Sequence, residues 1–159
     1  MASSTSTLRG FGSQFQILPE RTAPLASFRN RNVILLGDGL NSFAAAKLLG
    51  RARLAVVLDS ATGRLVIRER ARPASESPAF SRHESGPGGG PAEVYGLLTV
   101  FPTDAEPGKE RRTLIYHGAF RLRQDGLPGF PSAYQVVVKC TAEDSLLLSC
   151  GYAAHYILP

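Results

Sequence analysis

The sequence predicts an α/β fold: a small Rossmann-like sheet with a parallel βαβ start, followed by mostly antiparallel strands and a C-terminal hairpin. Three observations predict it. An unbroken apolar run, Val33 to Leu36, is followed by a glycine turn and then by an amphipathic helical pattern. A second apolar run, Leu54 to Asp59, returns after a short connection, and strand, helix and strand at this spacing make a parallel pair with a right-handed crossover. Most later strand-like runs are separated by polar or glycine- and proline-bearing turns, which suits antiparallel pairing.

Residues 1–13 are rich in Ser, Thr and Gly and nearly free of apolar side chains, so a flexible tail is expected there. Being acid-poor and hydroxyl-rich, the tail faintly resembles an organelle transit peptide; it lacks the apolar core of a secretory signal. Pro19 and Pro24 break the segment that follows. Residues 1–27 therefore read as a flexible basic arm, and residues 28–159 as one α/β domain.

Within the opening unit, Gly37 and Gly39 supply backbone freedom for a tight turn, and Asn41 or Ser42 can cap the helix. Phe43, Ala44, Lys47, Leu48 and Leu49 give its inward stripe, and Gly50 ends it beside Arg51 and Arg53. Arg64 to Arg68 is a short strand folding back on Leu54 to Asp59 as an edge hairpin. Residues 69–92 carry four prolines and a Gly88-Gly89-Gly90 run and form a long loop, in which His83 is a solvated residue. Val94 to Phe101 and Arg112 to His117 are further strands. Tyr134 to Cys140 and Leu146 to Leu158 flank a polar turn as an antiparallel hairpin.

At 159 residues, with 43% hydrophobic and 19% charged side chains, the chain suits one globular domain. No apolar run has the length of a membrane-spanning helix. The net charge of +5 is confined to the first third: residues 1–53 hold seven Lys or Arg against two acids, and the remainder is balanced. A basic arm can follow a nucleic-acid backbone or an acidic partner, but no aromatic residues interleave with its arginines, and a solvated arm is the plainer reading. Cys140 and Cys150 could face each other across the hairpin; the expectation is reduced, buried thiols in a cytoplasmic protein. Three scattered histidines and no paired cysteines leave no metal-ligand pattern.

The sharpest chemical pattern is the turn. Gly37-x-Gly39-x-x-Ser42 lies between a strand and a helix, and Asp59 ends the next strand about twenty residues on, where the ribose-binding acid of a dinucleotide fingerprint belongs. Ser42 departs from the third glycine of that fingerprint, and Asp38 puts a negative charge where a phosphate would sit. His117 follows a strand and can gather at the same sheet end as the turn. Neither a G-x-S-x-G elbow nor a nucleophile beside a base is present, so no catalytic residue is assigned. His155 reads as structural.

Three stretches together resemble a known family: Asn32 to Ser42 (NVILLGDGLNS), Glu93 to Pro102 (EVYGLLTVFP), and Tyr134 to Cys140 (YQVVVKC) with Ala154-His155. They are similar to an uncharacterised bacterial α/β domain, often found C-terminal to a winged-helix or other helix-turn-helix DNA-binding segment, over roughly residues 28–158. The family's helix after the Arg112–His117 strand is shortened or missing here, where Gly118 runs at once into Phe120 to Asp125. The resemblance implies a sensory or partner-binding role attached to regulation, not DNA binding by residues 1–31, which are too short and too broken by proline.

The expectation is thus a cytoplasmic, non-catalytic ligand-binding or interaction domain of regulatory type. Its ligand site comprises Gly37, Asp38, Gly39, Asn41, Ser42, Asp59 and His117. Its partner is a small molecule or a protein, with self-association and nucleic-acid contact by the arm as further options, and it needs no cofactor. The alternative is a nucleotide- or NAD(P)-dependent enzyme using the Gly37–Ser42 turn.

Overall fold

The structure, a computed structural model, describes residues 5–7, 14–16, 19–20, 23, 28, 31–73, 76, 79–81, 91–103, 111–118, 133–143 and 146–158. His83 and the segment after Gly118 lie outside them, as do Arg9, Arg21 and Arg29 of the basic arm. Among the described residues, ten strands and one helix follow in the order β1 (Thr5–Thr7), β2 (Gln14–Gln16), β3 (Val33–Leu36), α1 (Phe43–Leu49), β4 (Leu54–Asp59), β5 (Arg64–Glu69), β6 (Phe80–Ser81), β7 (Ala92–Thr103), β8 (Arg111–His117), β9 (Tyr134–Glu143) and β10 (Leu146–Ile157).

The described residues are predominantly β, with a single helix of seven residues, and the Rossmann-like α/β expectation is overturned. β3 and β4 do not pair. β3 instead lies parallel to β8 in a five-stranded sheet of order β10-β9-β7-β8-β3, whose other pairings are antiparallel. β4 belongs to a second, antiparallel sheet of order β4-β5-β6. The four-residue turn Ser60 to Gly63, with Gly63 in a left-handed conformation (φ +66°), lets β4 fold directly onto β5, so local pairing takes the strand that a crossover would have needed. The β4–β5 hairpin forms as the sequence indicates, but β5 is the central strand and not an edge. β1 and β2 pair antiparallel within residues 1–27, the segment expected as a flexible arm.

α1 and the three-stranded sheet cover one face of the five-stranded sheet. Ala45, Leu49 and Ala52 pack on Ile115 of β8, while Leu54, Val56 and Ile67 pack on Leu97 and Val137. Phe43, expected on the inward stripe, is 75% exposed; Ala44, Ala45 and Leu49 carry the burial. The opposite face buries Leu98, Val100, Tyr134, Val136, Val138 and Cys140.

A buried polar side chain ties the two sheets together. Gln135 of β9 is fully buried, accepts from the Leu54 amide (2.7 Å), donates to the Leu54 carbonyl (3.0 Å), and donates to Thr99 Oγ1 of β7 (2.9 Å). Its amide thus acts as a strand partner for the first residue of β4. At the periphery Arg53 pairs with Glu69 (2.7 Å) and stacks over Tyr156 of β10. Cys140 and Cys150 are direct cross-strand partners on β9 and β10 and form a disulfide, which corrects the expectation of reduced thiols. No helix among the described residues is long and apolar enough to cross a membrane.

Candidate functional site

Parallel pairing puts the C-terminal ends of β3 and β8 side by side: Leu36 lies opposite Tyr116, and the Gly37 amide donates to the Tyr116 carbonyl (2.8 Å). Both strands then leave the sheet through glycines in left-handed conformations, Gly37 at φ +133° and Gly118 at φ +143°, where an L side chain is strained. The turn after Gly37 carries Asp38 beneath the sheet end, where only 2% of it is exposed, and its Oδ2 accepts from Nδ1 of His117 (2.9 Å).

Asp38 is the hub of the turn. Its Oδ1 accepts from the amides of Leu40 (2.8 Å) and Asn41 (3.1 Å) and from Asn41 Nδ2 (3.2 Å). Asn41 therefore serves the turn, and Ser42 is the helix cap, its Oγ accepting from the Ala45 amide. A second carboxylate, unforeseen from the sequence, completes the cap. Glu20 Oε1 accepts from the Ala44 amide (2.6 Å) and from the Ser42 hydroxyl (3.1 Å). The amides expected to cradle a phosphate are thus bonded to carboxylates of the chain itself. Gly39 serves packing: a Cβ there would come within 3.4 Å of Ala46 Cα in α1.

Asp59 does not join this cluster. Its carboxylate accepts from the Ala61 amide (3.2 Å) and the Thr62 hydroxyl (3.0 Å) in the β4–β5 turn and pairs with Arg68 (3.3 Å). Of the residues predicted for a site, Gly37, Asp38, Gly39, Asn41 and Ser42 form one turn with His117 against Asp38, while Asp59 makes its bonds in a different turn.

What the sequence did not reveal is the cavity that His117 faces. It has a volume of about 550 Å³ and is walled by Val56 of β4, Leu65 and Ile67 of β5, Phe80 of β6, and Val94 and Tyr95 of β7. The end of β8 closes it with Tyr116, His117 and Gly118. β8 pairs with β7 only from Leu97 onward, so Val94 and Tyr95 run past its end and a notch opens between the sheets. Leu36 and Leu65, both exposed, stand at the cavity's edge. Phe80 and Tyr95 form a tilted ring pair with centroids 5.7 Å apart.

The polar side chains on the wall are few. The Tyr95 hydroxyl bonds Glu93 (3.1 Å), which also pairs with Lys139; burial and then Glu93 raise the Tyr95 pKa, so this phenol stays protonated. Tyr116 has a partner of its own. His117 lines the cavity and is a quarter exposed, and its only bond among the described residues is the one through Nδ1, so Nε2 is not committed to any of them. Among the described residues no cluster of His, Cys, Asp or Glu is arranged to hold a metal ion. In comparisons with known proteins no protein family, no curated protein and no solved structure matches the chain.

Proposed function

We propose that this chain is a ligand-binding domain whose ligand is a small, largely apolar molecule seated between the two sheets. One observation carries the reading: a cavity of about 550 Å³ whose apolar walls end at a single imidazole held by a buried carboxylate. That volume lies within the roughly 300–1,000 Å³ of small-molecule sites, and a few placed polar groups on an apolar wall are what orient such ligands. The regulatory role and bacterial origin implied by resemblance accompany this reading as proposals; the cytoplasmic location expected from reduced thiols gives way to an oxidising compartment, which the Cys140–Cys150 disulfide favours. The alternative enzyme using a nucleotide or NAD(P) would require a pyrophosphate to displace both Glu20 and Asp38 from the turn's amides.

Thermal unfolding against a panel of apolar small molecules, with nucleotides and dinucleotides included, tests the proposal. A ligand specific to the folded state adds about 2.7 kcal/mol at a hundredfold excess over its dissociation constant. At this chain length that is a shift of about 5–10 °C. Leu65→Trp, which fills the cavity from an exposed position, is expected to abolish the shift while leaving the unliganded midpoint nearly unchanged. No shift from any apolar compound, or one indifferent to Leu65→Trp, refutes the assignment.

A further inference from the structure

The Asp38–His117 pair sets which head group the ligand can carry, an inference that rests on the cavity being the binding site. Three facts combine. Oδ2 of Asp38 is an acceptor, so the Nδ1 facing it at 2.9 Å carries a proton, which leaves Nε2 as the one ring atom that can accept. The other donors to Asp38, the amide of Leu40 and the amide and side chain of Asn41, are uncharged, so among the described residues no second cation competes for the carboxylate. The remaining titratable groups on the cavity wall, Tyr95 and Tyr116, are engaged with other partners.

We infer that the ligand is an apolar, ring-bearing molecule with one hydroxyl, a phenol or an alcohol, which donates its hydrogen bond to Nε2 of His117. Once a bound ligand excludes water, a lone pair left without a donor is costly, and an ether, ester or ketone oxygen placed against it is repelled. An ammonium head brings three N–H donors to one uncommitted side-chain acceptor and leaves two unmet. The apolar walls, with Phe80 and Tyr95 as a ring pair, suit the body of such a molecule.

Asp38 acts here as a positioning residue, and its two oxygens make the inference sharply testable. Oδ1 takes the bonds of the turn, while Oδ2 faces His117 and has only one other, longer contact, from Asn41 Nδ2 at 3.4 Å. Asp38→Asn can keep its oxygen at the Oδ1 position and turn its NH₂ toward Nδ1. The ring proton then moves to Nε2, and the site becomes a donor.

The experiment is calorimetric titration of para-butylphenol, its methyl ether para-butylanisole, and para-butylbenzylamine into the wild-type chain, Asp38→Asn and His117→Phe. In the wild type the phenol is expected to bind about tenfold tighter than the ether, the size of one net hydrogen bond. Asp38→Asn is expected to reverse the order, and His117→Phe to erase it while retaining binding. Equal binding of phenol and ether to the wild type, still blocked by Leu65→Trp, overturns the head-group inference and leaves the cavity assignment standing. A preference for the amine also overturns it. Absence of binding by all three, together with an empty thermal panel, overturns both.

Discussion

Replacing Gln135 by leucine is expected to be the most damaging single change to this fold at constant side-chain shape. The side chain is fully buried and bonds both backbone groups of Leu54, itself fully buried, at 2.7 and 3.0 Å. Leucine at 135 can offer neither bond, so the Leu54 N–H and C=O are left facing hydrocarbon. Each unsatisfied buried group costs about 1–3 kcal/mol, which puts the loss at about 2–6 kcal/mol, a large part of the roughly 5–15 kcal/mol of an ordinary domain. Thr99→Val removes only one partner of the same amide and should cost about 1 kcal/mol. Urea unfolding followed by far-ultraviolet circular dichroism measures both. The chain has no tryptophan, so the tyrosines provide the second probe. Because β4 and β5 wall the cavity, partial release of the second sheet would also weaken ligand binding in Gln135→Leu. A leucine variant within about 1 kcal/mol of wild type at equal m-value would refute the view that Gln135 clamps the sheets.

Glu20→Ala removes the acceptor at the start of α1 and should lower stability by about 1 kcal/mol in the same assay, whereas Glu20→Gln should lose less. Thiol titration of the denatured, unreduced chain is expected to find no free cysteine, and reduction to destabilise the chain by about 2–3 kcal/mol for a loop closed over a separation of 10 residues. In an alkaline absorbance titration, Tyr95 and Tyr134 should ionise above the ordinary 10.0, because burial raises both. A raised folded-state pKa means that their contribution to stability is whole below pH 10 and is lost as the pH climbs through the folded values.

What was legible in the sequence is what short-range chemistry decides. A strand, a turn and a capped helix form between Val33 and Leu49, with Ser42 at the cap, because periodicity and capping act over a few residues. The burial on both faces that the apolar run Val33 to Leu36 suggested does not follow, since β3 is an edge strand with Ile34 and Leu36 exposed. The C-terminal hairpin forms for the same reason. The error was one of partnership. The connection between Leu36 and Leu54 is long enough for a parallel crossover, so its length did not reveal that β3 and β4 would part. β4 had a nearer partner in β5, and β3 found its own in β8, nearly eighty residues on, which no local pattern encodes. Glu20 and Gln135 were invisible for a related reason. Each acts by a contact that spans more than twenty residues, and neither type nor flanking sequence sets it apart.

Asp38 shows how one residue can count against a function and toward another. In the sequence its charge weakened the phosphate reading, because a carboxylate among turn amides repels an anion. In the fold that same carboxylate gathers the Leu40 and Asn41 amides, so the turn is closed without a ligand. Its second oxygen then reaches His117 only because β8 lies parallel to β3 and ends level with it; an antiparallel neighbour would have put the far end of that strand beside the turn. The imidazole, fixed through Nδ1, carries the polarity of the turn to the cavity wall, where the shorter β8 leaves Val94 and Tyr95 uncovered. The helix end is thereby closed to an anion, and under the proposed function recognition rests on a nitrogen at the end of the neighbouring strand.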